Sequence, residues 1–280
     1  PVGFAGSFAG VSNGALLVAG GSNFGVGGTP WNSATKTWYD KIFALEQPNG
    51  QWKEVGKLPH PLAYGISVTW QDGVIVAGGS DATKHYNEVW LLRYKNGHIE
   101  TENLPALPTP IANDCGIVIG STLYIAGGTT TPTATQASTN FWVLDLAQPA
   151  AQRVWKTEAP WPGPGRMLAV AATQEGAFYL LSGAALTKQP GDSTVHRTFL
   201  KDAYKYTLGK GWSRIADLPQ SVAAAPSPAF TTGQTHLLVF GGDNGKYFDR
   251  NATLQQKHPG FSNEVWMYNS ITDTWSTIGN

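Results

Sequence analysis

The sequence predicts an all-β propeller of four-stranded blades, five of which are visible in its 280 residues. Three observations carry this prediction. An apolar run ending in a glycine pair recurs along the chain, an aromatic residue lies in a second apolar run after each copy, and no segment has a useful helical hydrophobic period. Repeats of roughly 50 to 60 residues that each form four short strands are typical of propellers.

The glycine-pair run marks the end of the second strand, b, in each repeat of four strands a to d. Its copies end at Gly20-Gly21, Gly78-Gly79, Gly127-Gly128, Gly183-Ala184 and Gly241-Gly242, the fourth being degenerate. The five repeats span residues 1–59, 60–108, 109–160, 161–219 and 220–280, which we treat as one propeller domain. In the second repeat, the predicted strands are residues 64–70, 73–79, 88–94 and 98–104. The expected role of these glycines is blade packing.

The composition excludes several classes of protein. The 19 basic and 19 acidic residues balance to a net charge of zero, so neither nucleic acid nor an anionic membrane is an expected partner. The apolar runs are strand-sized, which argues against a membrane-spanning helix. A single cysteine, Cys115, excludes an internal disulfide framework.

The b–c connections are the expected ligand side. They comprise residues 22–40, 80–87, 129–140, 184–201 and 243–263, and three of them have roughly 18 residues or more, beyond the usual loop length. Because strands alternate in direction, these long loops share one face, while the a–b turns on the other are minimal. Their mixture of aromatics, amides and cations favours a sugar ligand, although polar surface loops often have this composition without binding. The expected binding residues here are Asn23, Phe24, Arg197 and Asn244.

Residues at the start of strand a are further candidates, because strand a lines the channel of a propeller. We expect the guanidinium of Arg166 to face the channel mouth and suit a carboxylate; the alternative is a framework arginine. Asn113 and Asp114 occupy the corresponding entrance in the third repeat, and Tyr64 occupies it in the second. Asp114 is a proton-transfer candidate if the channel desolvates it, so Arg166 and Asp114 are the predicted catalytic residues.

Other chemistries have weaker support. The six histidines never occur in metal-ligand spacing, so no metal site is expected. A copper-radical oxidase would need a reactive Cys–Tyr pair, but Cys115 lies among apolar neighbours and is better explained as a packing thiol. The segment Ser270-Ile271-Thr272-Asp273-Thr274-Trp275 lacks the glycine of a sialidase Asp-box and is interpreted as a turn.

The repeats resemble kelch repeats, and several segments are more specifically similar to the bacterial sialic acid mutarotases, or N-acetylneuraminate epimerases. Those segments are Gly6-Ser7-Phe8-Ala9-Gly10-Val11-Ser12-Asn13, Val18-Ala19-Gly20-Gly21-Ser22-Asn23-Phe24, Ala63-Tyr64-Gly65-Ile66-Ser67 and Gly241-Gly242-Asp243-Asn244. Their order is similar to that of the cyclically permuted branch. The resemblance implies acid/base interconversion of the α and β anomers of N-acetylneuraminate, and it implies no cofactor. It also implies that Arg166 contacts the carboxylate or ring and that Asn23, Tyr64 and Asn244 face the sugar.

The sequence departs from this family in blade number. Family propellers have six blades, and their Gly-Glu-x-x-Pro-Gly-x-Arg stretch, whose Glu and Arg are regarded as catalytic, is absent here. In the permuted order it would belong to a sixth repeat after Asn280, so we expect a fragment rather than a divergent five-bladed enzyme. A non-catalytic propeller that binds sugar or protein remains the alternative function. A periplasmic or secreted location is expected, and a homo-oligomer is left open.

Overall fold

The computed structural model describes residues 3–32 and 34–279, and nearly all regular structure in this part of the chain is β. The strands of the first two repeats are β1 (Phe8–Ser12), β2 (Ala15–Ala19), β3 (Ser22–Asn23), β4 (Thr37–Trp38), β5 (Lys41–Leu45), β6 (Lys53–Lys57), β7 (Ile66–Trp70), β8 (Gly73–Ala77), β9 (Val89–Lys95) and β10 (His98–Leu104). Those of the third and fourth are β11 (Cys115–Ile119), β12 (Thr122–Ala126), β13 (Phe141–Asp145), β14 (Lys156–Thr157), β15 (Val170–Gln174), β16 (Ala177–Leu181), β17 (Ala184–Thr187), β18 (His196–Phe199), β19 (Ala203–Thr207) and β20 (Gly211–Ile215).

The fifth repeat contains the strands β21 (Phe230–Thr232), β22 (His236–Phe240), β23 (Val265–Asn269) and β24 (Thr274–Gly279), and also the α-helix α1 (Asn251–Leu254). Short 3-10 helices cover Ala150–Gln152, Phe248–Arg250 and Gln255–Lys257. The described helices are all too short and too polar to cross a membrane.

Five four-stranded antiparallel sheets are formed, one in each predicted repeat. Sheet 1 has the order β1-β2-β5-β6, sheet 2 β7-β8-β9-β10, sheet 3 β11-β12-β13-β14, sheet 4 β15-β16-β19-β20 and sheet 5 β21-β22-β23-β24. The predicted pattern of strands a to d is therefore confirmed. Two b–c connections also contain two-stranded ribbons, β3–β4 and β17–β18, which the sequence analysis left as loops.

Contacts divide the chain into two compact units. The N-terminal unit comprises Pro1–Asn113 and Thr130–Pro132, and the C-terminal unit comprises Asp114–Thr129 and Thr133–Asn280. In the N-terminal unit, sheets 1 and 2 enclose a core that includes Phe8, Leu17, Ile42, Val76 and Trp90. Alternate residues of each strand point into this core, as the two-residue side-chain period of a strand requires.

Two cores stabilise the C-terminal unit. Between sheets 3 and 4, the ring centroid of Phe141 lies 4.8 Å from those of both Tyr206 and Trp212. Between sheets 4 and 5, the ring of Tyr179 contacts that of Tyr268, at 6.0 Å between centroids. Aromatic residues of strands b, c and d therefore pack between neighbouring sheets of this unit.

Sheets 1 and 5 each have a second, uncovered apolar face. On sheet 1, Val11 and Leu16 pair across β1 and β2 and are 45% and 38% exposed. On sheet 5, Phe230 and Phe240 are 63% and 44% exposed. Contiguous apolar side chains on a sheet face are normally covered by another surface.

Replacing Gly20 with Ala is expected to destabilise the protein by about 3 kcal/mol. Gly20 has a φ of +60°, and an added Cβ would collide with the carbonyl oxygen of Leu62. Gly14 is the matched control, because its φ is +81° but no atom lies within 4 Å of an added Cβ. Gly14→Ala should therefore cost only the backbone strain of about 1 kcal/mol. Urea unfolding measures the stability of both variants. Equal losses for Gly20→Ala and Gly14→Ala would contradict the close contact between Gly20 and the Leu62 carbonyl.

Candidate functional site

Each repeat enters its first strand through a residue in the left-handed conformation. The residues are Gly6 (φ 64°), Tyr64 (66°), Asn113 (60°), Leu168 (56°) and Ala224 (58°). In the N-terminal unit, the Tyr64 N–H donates to the Gly6 carbonyl at 2.9 Å, and the Asn113 N–H donates to the Tyr64 carbonyl at 2.7 Å. Non-glycine residues seldom adopt this conformation, and such strain clusters at functional sites. Two predicted site residues, Tyr64 and Asn113, occupy this repeated position.

Tyr64 is the centre of a polar cluster in the N-terminal unit. Its hydroxyl lies 2.6 Å from the Nζ of Lys36 and 2.9 Å from the Oγ of Ser22. The Nζ of Lys36 also lies 4.5 Å from the ring centroid of Tyr64 and 5.1 Å from that of Trp38. The ring of Tyr64 packs on Gly6, where an added Cβ would lie 2.5 Å from its Cδ1. Phenol, hydroxyl and ammonium groups therefore converge at one point.

Lys36 is the member of this cluster that the sequence analysis missed. It lies 28 residues before Tyr64, and the β3–β4 ribbon folds the loop back to bring it there. One signal was available, since Lys36 is the only basic residue in the first b–c connection. The presence of Lys36 in this connection does not show that its ammonium contacts the Tyr64 hydroxyl.

Asn23 shapes the loop in which the sequence placed it. Its Oδ1 accepts hydrogen bonds from the Gly25 N–H at 2.9 Å and the Tyr39 hydroxyl at 2.8 Å, and its Nδ2 donates to the Gly3 carbonyl at 3.2 Å. Phe24 beside it is half-buried. The contacts give Asn23 a structural role in the loop, and its contact with sugar, like that of Phe24, stays a prediction.

Asp114 has both carboxylate oxygens buried and no hydrogen-bond partner for them among the residues that the structure describes. Burial raises the pKa of Asp114 to about 8, and the residue's own backbone N–H offsets only part of this effect. The corresponding positions in the other repeats hold the small residues Ser7, Gly65, Ala169 and Ala225. At pH 7 the structure therefore holds a neutral carboxylic acid where the other blades hold a small side chain.

Arg166 is placed differently from the expectation that it faces the channel mouth. Its side chain is 0% exposed; Nη2 donates to Asp202 Oδ2 at 2.7 Å, and Nη1 donates to the carbonyl of Ser182 at 2.8 Å. Its own carbonyl accepts from the second glycine of a pair, as the carbonyls of Leu62 and Ile111 do in other repeats. Arg166 therefore takes a position that is aliphatic in the second and third repeats, and the pairing of its guanidinium with Asp202 and the Ser182 carbonyl favours the framework alternative over direct contact with a ligand.

Arg197 is less buried than Arg166 and has no salt bridge among the described residues. It lies in β18, is half-buried, and stacks over Phe248 with 4.8 Å from Cζ to the ring centroid. Its Nε has no hydrogen-bond partner in the described part of the chain. Burial lowers the pKa of Arg197, and the nearby charge of Asp243 acts in the opposite direction. These properties suit a residue that binds a polar or anionic ligand.

Asn244 lies at an open polar cavity of about 380 Å³ in the fifth repeat. Its Nδ2 donates to Gln220 Oε1 at 3.2 Å, and Gln220 Nε2 donates to Glu264 at 2.6 Å. The cavity is lined by Gln220, Asp243, Asn244, Lys246, Tyr247, His258, Pro259, Gly260, Phe261, Ser262, Asn263 and Glu264. Its volume is within the range of small-ligand sites, and its hydrogen-bonding groups suit a hydroxylated molecule.

The described residues form no cluster of three or more possible metal ligands, and their one thiol is buried. Within residues 3–32 and 34–279, no group of three or more His, Cys, Asp or Glu side chains is placed to hold a metal ion. The Cys115 thiol is buried 3.6 Å from the Ala126 carbonyl oxygen, and burial raises its pKa. The structure therefore agrees with a packing role for Cys115.

Comparison with known proteins gives a family and a fold. A family model described as N-acetylneuraminate epimerase matches residues 2–101 and 104–259. Curated N-acetylneuraminate epimerases from Yersinia enterocolitica and Salmonella enteritidis are 44% identical over 85 residues and 39% identical over 88 residues. These matches cover 28% and 29% of this chain and 21% and 22% of the two relatives. The chain therefore spans about a fifth of the length of the curated relatives it matches.

One solved structure, described as "Structure of YjhT", matches with a TM-score of 0.78 at 12% identity. The match covers 99% of this chain and 84% of that chain. At this identity the likeness establishes the fold alone. Together with the five four-stranded sheets, it confirms the all-β propeller class predicted from the sequence.

Proposed function

The chain belongs to the N-acetylneuraminate epimerase family, and on this premise we propose that it interconverts the α and β anomers of N-acetylneuraminate. The two anomers differ only in the configuration at the anomeric carbon. Interconversion requires the ring to open and to close on the opposite face. The net reaction neither oxidises nor reduces the sugar, so side chains that move protons are sufficient chemistry.

Proton transfer at two oxygens is the catalytic task. A base takes the proton of the anomeric hydroxyl while an acid protonates the ring oxygen, the carbon–oxygen bond of the ring breaks, and a keto group forms. On reclosure the roles reverse: the former acid takes the proton from the hydroxyl that was the ring oxygen, this oxygen attacks the other face of the keto carbon, and the former base protonates the keto oxygen. General acid and base groups are most effective when their pKa lies close to the working pH.

The observation that carries the proposal is the state of Asp114. A carboxylic acid with a pKa of about 8 is protonated at neutral pH and can release its proton without a large cost. We assign Asp114 the transfer of a proton to and from the sugar. Arg197 and Asn244 are the proposed binding contacts in the unit that contains Asp114, and Tyr64 and Asn113 are proposed contacts in the N-terminal unit. In the fourth repeat Arg166 pairs with Asp202.

Exchange NMR on an equilibrium mixture of N-acetylneuraminate anomers tests the proposal. With protein present, we expect cross peaks between the C3 proton signals of the α and β anomers at mixing times that give none without protein. The non-catalytic alternative predicts broadened sugar signals without those cross peaks. Glucose is the control sugar, since it also mutarotates but lacks the carboxylate and the acetamido group.

We also propose that a sixth four-stranded unit accompanies the five sheets in the functional protein. The uncovered apolar faces of sheet 1 and of sheet 5 each support this proposal, because a neighbouring blade would bury them. The family's acid/base stretch would then lie on that unit. A periplasmic or secreted location is proposed from the family alone.

A further inference from the structure

Lys36 differs from the other described lysines because it is half-buried and yet forms no salt bridge among the described residues. It is half-buried, and among the described residues its ammonium has no acidic partner. The other described lysines without a salt bridge are exposed, as Lys84 and Lys246 are, whereas the half-buried Lys205 pairs with Glu175 at 3.7 Å. Removing a cation from water without a counter-charge is unfavourable, and a bound anion would offset that cost.

The surroundings of Lys36 fix the direction of its ammonium. One N–H donates to the Tyr64 hydroxyl at 2.6 Å, and the rings of Tyr64 and Trp38 lie beside it. The buried Ser22 holds the same hydroxyl at 2.9 Å. An ammonium has three donors, so two remain for a ligand. The backbone of Tyr64 is in the left-handed region, with φ at +66°.

The next repeat has a similar pair without the unmet charge. Lys84 lies over the ring of Tyr86 at 4.7 Å, but it is exposed. The Tyr86 hydroxyl donates to the Asp81 carboxylate at 2.7 Å. A lysine above a tyrosine is therefore not in itself a site. What distinguishes Lys36 is its partial burial together with the lack of a salt bridge to any acidic residue that the structure describes.

We propose that Lys36 binds the carboxylate of the sugar acid and that Tyr64 and Ser22 are positioning residues for its ammonium. The inference rests on the proposed function, because N-acetylneuraminate is the ligand that brings the carboxylate. It makes Lys36 the residue that distinguishes a sugar acid from a neutral sugar. Two charge-assisted hydrogen bonds from the free N–H groups account for the preference.

Calorimetric binding of N-acetylneuraminate and its uncharged methyl ester tests the assignment. Lys36→Met is expected to weaken binding of the acid roughly 10- to 100-fold while leaving the weaker binding of the ester unchanged. Lys84→Met is the matched control and should bind both ligands as the wild type does. Tyr64→Phe should weaken binding of the acid to a smaller extent, and Lys36→Arg should restore part of the affinity.

The competing assignment gives the carboxylate to Arg197. If Arg197→Gln removes the preference for the acid over the ester while Lys36→Met keeps it, the proposal is overturned. It is also overturned if the wild type binds the acid no better than the ester. Circular dichroism confirms that each variant is folded. Catalysis is measured separately, so a protein that binds the acid through Lys36 without accelerating mutarotation disproves the proposed function and leaves this inference standing.

Discussion

Asp114→Asn is expected to give a protein that is more stable at pH 7 and nearly inactive. In the folded protein burial raises the pKa of Asp114 from 3.8 to about 8. Between these values the unfolded chain has lost the proton and the folded chain retains it. Stability therefore falls as pH rises through this window, by up to about 1.4 kcal/mol per pH unit. Asparagine does not titrate in this range, so the variant does not lose the few kcal/mol of stability that the wild type loses as pH rises through it.

Urea unfolding of both proteins between pH 4 and pH 8 measures this effect. The stability difference should widen in favour of Asp114→Asn as pH rises and level off above about 8. Asp81→Asn is a control of opposite sign. Burial alone would raise the pKa of Asp81, but hydrogen bonds from Tyr86, Thr83 and Lys84 lower it overall, so this variant should lose stability at pH 7. Parallel pH profiles for wild type and Asp114→Asn would contradict the account.

The activity of Asp114→Asn is expected to fall by roughly 10²- to 10⁴-fold, the usual contribution of a positioned acid or base. A variant that gains stability while losing activity is the pattern expected where a protein keeps a destabilising group for its function. If Asp114→Asn retains the wild-type mutarotation rate, Asp114 has no part in proton transfer.

Arg166→Leu is expected to cost about 3 to 5 kcal/mol of stability, because it removes one partner of a buried ion pair. Asp202, whose side chain is 13% exposed, would be left with the Tyr204 hydroxyl at 2.7 Å as its remaining side-chain partner among the described residues. Leucine is chosen because the corresponding position of the second repeat is Leu62.

The double variant Arg166→Leu/Asp202→Leu is the control for this prediction. It removes both charges, so we expect much of the lost stability to return. Differential scanning calorimetry measures the thermal stability of the wild type, the single variant and the double variant. A single variant within about 1 kcal/mol of the wild type would contradict the assignment of Arg166 to the framework.

The repeat pattern was sufficient to predict the five four-stranded sheets but not the two ribbons β3–β4 and β17–β18. In the second repeat, residues 73–79 were predicted for strand b, and Gly73–Ala77 is observed; residues 98–104 were predicted for strand d, and His98–Leu104 is observed. The prediction works because each blade is formed by consecutive hairpins. Local alternation of apolar residues then determines which residues pair.

The directions of the functional side chains could not be predicted in this way. Arg166 was predicted to open a strand, whereas β15 begins at Val170, and the Asp202 carboxylate that binds its guanidinium lies 36 residues later in the sequence. Lys36 reaches Tyr64 only because a loop folds into a ribbon. The unpaired carboxylate of Asp114 was predicted only conditionally, since desolvation depends on neighbouring side chains that periodicity does not specify.

The central proposal is that this protein interconverts the α and β anomers of N-acetylneuraminate. The direct measurement is proton NMR of α-N-acetylneuraminate freshly released by a sialidase, followed with and without the protein. The account predicts that the α signals decay and the β signals grow faster with the protein, in proportion to its concentration, to the same final anomer ratio. An α-to-β rate equal to that of the protein-free sample would contradict it.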